Sequence, residues 1–356
     1  MPAEFTDAEY PAAPYPGARP DFSYLHDDGR GHRLTPAREA RSGWRVHGGE
    51  PAVDLDGWLV ERGHPPLAER VPLLSYGSNP CPAKLTWLRA RHGLSGPVVV
   101  LRARCAGLSA VWAAGLRVVD DQRPAVLAAA PGAVEQHAVI MASAGQVLAF
   151  DRCEGRGDRY RLASVSTGSV TTEDGGTWGA VLAYLGARDT RRPLLVHGAP
   201  VACADVPRSA AAHLVGAPAD GDGLDAAEVS GPPDPRALPG ELFVYGTLQP
   251  GASHWRLLAP HAAGPARPAA LAGSLHDTGR GYPALVLGDG PGVRGWSVPL
   301  RSGAALAGLD SYEGPEYDRV RVVLADGSVA WTYVWLPTVD GMPLLREPWP
   351  ATTSPE

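Results

Sequence analysis

Lysine is nearly absent from this chain. Of its 32 Lys and Arg residues only Lys84 is a lysine, so a Schiff-base mechanism has a single candidate. The accompanying wealth of Ala, Gly and Pro reads as the mutational bias of a GC-rich genome. Cysteine is scarce too. Cys81, Cys105, Cys153 and Cys203 form no C-x-x-C pair, and no His cluster has metal-ligand spacing. They read as reduced thiols of a cytoplasmic protein, and no metal is expected. Basic excess is missing: the net charge is −6 and the pI about 6.0, which argues against a nucleic-acid partner. No apolar run approaches the roughly 20 residues a membrane span needs, so no membrane partner is expected. The N-terminal residues show neither a basic n-region nor an apolar h-region, so no signal peptide is expected.

What is present is material for real cores. Hydrophobic residues make up 44 % of 356 positions, which suits about two domains of ordinary size. Residues 1–70 are rich in Pro, Gly and charge and read as a flexible or draped extension. Phe22, Tyr24 and Trp44 are its candidate surface anchors, and 53–69 its short helix. Residues 191–240 turn to Pro, Ala, Gly and Asp and read as a linker. That leaves domains at 71–190 and 241–345, with a tail at 346–356.

The stretch Leu242-Phe243-Val244-Tyr245-Gly246-Thr247-Leu248 organises the second domain. Its apolar β-formers favour a strand. Gly246 is expected to end it by adopting angles a Cβ forbids. Beyond it, backbone N–H groups and the Thr247 hydroxyl are free to hold a carboxylate. Leu73-Leu74-Ser75-Tyr76-Gly77-Ser78-Asn79 repeats the pattern in the first domain. A second signal follows each. Phe150-Asp151-Arg152-Cys153-Glu154-Gly155 matches Leu309-Asp310-Ser311-Tyr312-Glu313-Gly314. The spacing from Pro to Glu is equal, 154 − 124 = 30 and 313 − 283 = 30. We read a tandem duplication.

A Glu that ends a short helix before Gly can be held in a half-apolar site. Burial raises its pKa and suits it to act as base and then acid. One such Glu is most simply a surface residue; two at matched spacing point to function. Tyr317 and Arg319 either line the pocket or close the next strand. Cys153 reads as a small buried side chain.

These motifs resemble the γ-glutamylcyclotransferase-like superfamily. Tyr245-Gly246-Thr247-Leu248, Tyr282-Pro283-Ala284-Leu285, Pro291-Gly292-Val293 and Leu309-Asp310-x-x-Glu313-Gly314-x-x-Tyr317 resemble its γ-glutamylamine cyclotransferase and AIG2-like branch. Ser75 to Asn79 with Glu154-Gly155 look more like γ-glutamylcyclotransferase proper. The resemblance implies an α+β fold of two tandem domains, each a small mixed β-barrel with flanking helices. It implies release of 5-oxoproline and a free amine from a small-molecule γ-glutamyl substrate, without a cofactor. Glutathione-type turnover, γ-glutamyl-ε-lysine turnover and the unmasking of a protected biosynthetic intermediate all fit. The essential Glu lands on Glu313 and Glu154. The substrate cradle lands on Tyr245, Gly246, Thr247 and Leu248, and on Tyr76, Gly77, Ser78 and Asn79. Tyr282 and Tyr317 complete the expected second site. The first half departs in three places: Arg123 replaces Tyr282, Glu135-Gln136-His137 replaces the Gly295-Trp296 region, and Tyr160 stands at +6 from its Glu rather than +4. A γ-glutamyl-binding module that has lost turnover is the alternative.

Overall fold

The computed structural model describes residues 3–49 and 51–349, which divide into two compact units. One holds residues 1–34, 71–173 and 180–233; the other holds 35–70, 174–179 and 234–356.

The first unit is built on β1 (Tyr24–Asp27), β2 (Val71–Ser75), α1 (Pro82–His92), β3 (Val98–Trp112), β4 (Ala125–Ala142), α2 (Ala144–Glu154), β5 (Tyr160–Val165) and β6 (Val181–Gly186). Its sheet runs β5-β6-β2-β4-β3-β1. The β2–β6 pair is parallel, and β5–β6, β2–β4 and β3–β4 are antiparallel. Helix α1 spans the expected residues. Pro82 opens it where a missing N–H costs nothing, and Arg89, Arg91 and His92 complement the negative end of the dipole. Ser143 caps α2 through a reciprocal pair with Gln146.

The second unit holds β7 (Glu241–Val244), β8 (Arg267–Leu271), β9 (Gly273–Asp277), β10 (Pro283–Leu287), β11 (Val293–Pro299), α3 (Ala304–Glu313), β12 (Tyr317–Val323) and β13 (Val329–Trp335). Five strands order as β12-β13-β7-β11-β8, again with one parallel pair, β7–β13. Side chains alternate across β7. Leu242 and Val244 join Leu306 and Leu309 of α3, while Phe243 and Tyr245 join Leu275 of β9 and Leu285 of β10. The sheet is thus covered by a helix on one face and by the β9–β10 hairpin on the other.

The two strand orders correspond position by position, β5-β6-β2-β4-β3 with β12-β13-β7-β11-β8. The expected barrels are a point of correction. Each unit's principal sheet has two free ends, and no closed barrel occurs among the described residues. Burial comes instead from stacking a second layer on the open sheet, as the mixed Phe243–Leu275–Leu285 cluster records.

Residues 3–49 and 51–70 are more ordered than their composition implied. Phe5, Phe22, Tyr24 and Trp44 are buried. Strand Glu4–Thr6 pairs with Arg30–Pro36, and helix Leu55–Glu61 is capped by Asp54, which accepts from Gly57 N–H at 2.9 Å. A few aromatics and a complete hydrogen-bond ladder compensate for the sparse apolar content. The expected linker also carries structure. Leu194–Val196 pairs with Ala199–Pro200 and Ala217–Pro218, and Ala226–Glu228 adds to the edge of β5. The expected tail at 346–356 lies outside the described residues from 350 onward. Among the described residues no helix is long and apolar enough to cross a membrane.

Each unit is stitched by one buried arginine. In the first, Arg123 donates to the carbonyls of Ala113, Ala114, Ala211 and Leu214 at 2.5–2.9 Å. In the second, Arg321 donates to the carbonyls of Leu67, Arg70, Pro235 and Leu238, with Trp331 stacked 4.2 Å from its guanidinium. Burial pulls the Arg321 pKa down to about 9. Arg321→Met would leave those carbonyls unpaired. An unpaired buried polar group costs about 1–3 kcal/mol, so the variant should lose about 3–5 kcal/mol. Urea unfolding followed by tryptophan fluorescence checks this; an unchanged midpoint would contradict it.

Candidate active site

Each candidate Glu is the last residue of its helix, Glu154 of α2 and Glu313 of α3. Gly155 and Gly314 follow with φ of 69° and 72°, a turn that stops the helix and that a Cβ would strain. Both Glu side chains therefore sit at the negative end of a helix dipole, which itself disfavours their ionised form.

An aspartate one turn earlier holds each helix end against the sheet. Tyr333 of β13 donates its hydroxyl to Asp310 Oδ1 at 2.8 Å, and Arg319 donates to both oxygens at 2.8 and 3.2 Å. Tyr184 of β6 donates to Asp151 Oδ1 at 2.6 Å, and Arg156 donates to Oδ2 at 3.2 Å. The Tyr-Gly turn is held by the same last strand. Tyr245 donates its hydroxyl to the Tyr333 carbonyl at 2.6 Å, and Tyr76 to the Tyr184 carbonyl at 2.5 Å. Turn and glutamate are thereby registered against one another twice.

The second pocket is a cavity of about 30 Å³ that brings together all the expected residues of that half: Tyr245, Gly246, Thr247, Leu248, Tyr282, Glu313 and Tyr317. Burial pushes the Glu313 carboxyl up to about 7. Tyr317 donates to the Pro283 carbonyl at 2.8 Å, which settles it as a wall of the pocket as well as the start of β12. Arg319 is taken up by Asp310 and the Trp331 ring. Tyr282 donates to Glu316 Oε2 at 3.2 Å, and the Thr247 and Tyr312 hydroxyls share a 3.0 Å bond. The N–H groups of Thr247 and Leu248 have no protein acceptor among the described residues. One expectation needs correction. Gly246 does not take a positive φ. Its constraint is spatial: a Cβ would stand 3.1 Å from the Pro283 ring, which also lines the pocket, and the ring would have to give by a few tenths of an ångström.

The first pocket is larger, about 500 Å³, and gathers Tyr76, Gly77, Ser78, Asn79 and Glu154. Burial raises the Glu154 pKa, opposed by a hydrogen bond from Asn79 Nδ2 at 2.9 Å and by Lys84, Arg159 and Arg117. Two of the departures of this half are absorbed. Tyr160 begins β5 as Tyr317 begins β12 and lines the pocket likewise; the two extra residues lie in the turn at Arg156 and Gly157. Arg123, standing where Tyr282 stands, is spent on backbone carbonyls. Burial pushes the Cys153 thiol up to about 11, the wrong direction for a nucleophile.

Sequence reasoning did not find the roles of Asp151, Asp310, Tyr184 and Tyr333: the Asp was part of the repeated motif, but the Tyr stands 33 residues after it in the first half and 23 in the second. Nor did it find Tyr15, which lines the first pocket, or Arg19, which donates to the Gly77 carbonyl at 2.6 Å. Nothing local marks those two, since they reach the site from more than fifty residues away.

The comparisons with known proteins bear on the second unit. Residues 242–351 match the family model described as gamma-glutamyl cyclotransferase, AIG2-like. A relative from Niallia circulans, gamma-L-glutamyl-butirosin B gamma-glutamyl cyclotransferase, is 34 % identical over 103 residues, which is 26 % of this chain. The chain spans 65 % of that relative's length. An AIG2-like protein from Mus musculus is similar at 21 % identity over 30 % of this chain and 86 % of its own, with a TM-score of 0.26. YkqA from Bacillus subtilis is similar at 15 % identity over 75 % of this chain and 84 % of its own, with a TM-score of 0.23. The similarity to the gamma-glutamyl cyclotransferase, AIG2-like family thus covers residues 242–351, within the second unit.

Proposed function

We propose that the protein is a cofactor-independent γ-glutamyl cyclotransferase that releases 5-oxoproline and a free amine from a γ-glutamyl amide. We further propose that it carries two such sites, descended from one duplicated domain. The observation that carries the reading is the pair of helix-ending glutamates, each held up in pKa by burial and each set beside a Tyr-Gly-hydroxyl turn. The matched strand orders support the duplication.

The reaction joins two atoms of one substrate, so the pocket's main work is to fold the glutamyl chain into attack geometry. In the second site the free N–H groups of Thr247 and Leu248 and the Thr247 hydroxyl receive the α-carboxylate. Glu313 takes a proton from the α-ammonium. The amine then attacks the γ-carbonyl, a C–N bond forms in the five-membered ring, and the bond to the departing nitrogen breaks. The same carboxyl returns its proton to that nitrogen and then carries the surplus proton of the ring nitrogen to the released amine, so the protein ends as it began. Tyr245 and Tyr317 wall the glutamyl chain. Glu154, with Ser78 and Asn79, repeats these roles in the first site. The substrate in the name of the Niallia circulans relative supports unmasking of a γ-glutamyl-protected biosynthetic amine. The four free thiols support a cytoplasmic setting.

Positioned acid–base groups contribute about 10²–10⁴-fold. Glu154→Gln and Glu313→Gln should each remove one site's turnover, and the double variant should lose at least about a hundredfold in kcat while still binding substrate. Mass-spectrometric detection of 5-oxoproline from a panel of γ-glutamyl amines checks this. A double variant with wild-type turnover would contradict it.

The charged form of Glu313 is the base. In the Glu154→Gln background, kcat/KM should therefore rise with pH to a half-maximum near 7. Stability runs the opposite way. A carboxyl whose pKa is raised on folding favours the folded state at low pH, and that contribution is lost as pH rises from about 4.5 through about 7. Glu313→Gln should thus stabilise the protein by on the order of 2–3 kcal/mol at pH 8 and by little at pH 4. Thermal melts of both proteins at the two pH values check the sign.

A further inference from the structure

We propose that the two sites divide their substrates by charge: the first takes γ-glutamyl compounds whose departing amine carries an oxyanion, and the second takes neutral or cationic ones. This rests on the cyclotransferase reading of both pockets.

The lining of the first pocket includes Lys84, Arg117, Arg159 and Arg191, with one carboxylate, Glu154. The lining of the second has Glu313 and no cation among the described residues. Arg191 is the decisive group. It is 8 % exposed, yet no carboxylate pairs with it among the described residues. Its Nη1 donates to the adjacent Thr190 carbonyl at 3.2 Å, its Nε has no partner, and neighbouring Asp189 pairs with Arg192 instead. A buried charge without a counter-ion is costly, and an anionic ligand in this cavity would supply the missing partner. Arg159 is likewise unclaimed by any carboxylate: it donates to the carbonyls of Glu154 and Cys153 at 3.1 and 2.8 Å. The Lys84 ammonium lies 3.3 Å from the centre of the Trp87 ring, also on the pocket wall. Arg117 is half-neutralised by Asp120 at 2.7 Å and stands beside the exposed Val118 and Val119.

The glutamyl α-carboxylate already has the Ser78–Asn79 turn, as its counterpart has the Thr247–Leu248 turn in a pocket without arginine. The additional cations of the first pocket are therefore assigned to the other end of the substrate. The cavity volumes agree. About 500 Å³ leaves room in the first cavity for a substituent beyond the γ-carbonyl, whereas the second cavity is only about 30 Å³. A carboxylate and a phosphate share the required chemistry, and both are probed.

The test uses the full chain carrying Glu313→Gln, so that turnover reports the first site. Three probes are compared: γ-glutamylalanine, its uncharged isostere γ-glutamylalaninamide, and γ-glutamyl-O-phosphoethanolamine. The acid should exceed the amide in kcat/KM by about tenfold or more, as one buried charged contact warrants. Arg191→Gln should collapse that ratio toward one, and Arg191→Lys should restore part of it. The Glu154→Gln full chain, which reports the second site, should show no preference for the acid. A phosphate probe that outpaces the acid supports the proposal and identifies the phosphate as the better anion. Equal rates for acid and amide in the first site would overturn it. So would an equal loss of both probes in Arg191→Gln with the ratio intact, which would assign Arg191 to the α-carboxylate. Should Arg191→Gln fail to fold by circular dichroism, the ratio in the parent chain and in Lys84→Gln decides. If no probe yields 5-oxoproline, the cyclotransferase reading fails. Calorimetric titration of the same probes into the Glu154→Gln/Glu313→Gln protein then still reads the charge preference: tighter binding of the acid supports it and equal binding overturns it.

Discussion

Everything in the proposed sites depends on a hydrogen bond between an aspartate and a tyrosine hydroxyl. Asp310 with Tyr333, and Asp151 with Tyr184, fix the last turn of a helix to the strand that also receives the Tyr-Gly turn. Without that bond a glutamate at a helix end would swing into water and titrate as an ordinary carboxyl. With it, Glu313 and Glu154 are held where burial and the helix dipole both disfavour their charge. An arginine pairs with each Asp, Arg319 in one unit and Arg156 in the other. On the proposed mechanism, Asp orients and Glu is left free to exchange protons.

The same frame leaves the far wall of the pocket open to change. In the second unit that wall carries Tyr282 and Tyr317, and Trp335 packs against both rings. In the first, Arg123 has withdrawn to backbone carbonyls, Tyr15 enters from the N-terminal segment, and cations line the cavity. Conserving the Asp–Tyr–Glu geometry while exchanging this wall is a physically economical way for one scaffold to serve two substrates.

Much of this was legible in the residues. The Tyr-Gly turns, the helix-ending glutamates and the matched spacing of 30 residues were visible because each is a short pattern with a local cause. Helix α1 likewise has local causes at both ends, Pro82 and the left-handed Gly93. What escaped notice was non-local. The hydroxyl that holds Asp310 is supplied 23 residues later, across the sheet. Strands β3 and β4 run unbroken for 15 and 18 residues, with one register shift between Ala106 and Leu108, a length set by their pairing with each other. Residues 35–70 looked too poor in apolar side chains to fold, but their carbonyls are gathered by Arg321, some 250 positions away. Gly246 was correctly singled out for the wrong cause: its neighbour in space, Pro283, decides the matter.

The most direct test is the titration of the Glu313 carboxyl itself. Carbon-13 labelling of the glutamate side chains, with the signal assigned by its loss in Glu313→Gln, reports the ionisation in the intact protein. The account predicts a midpoint near pH 7, brought about by burial. A midpoint near 4.5, the value of a solvated glutamate, would contradict it.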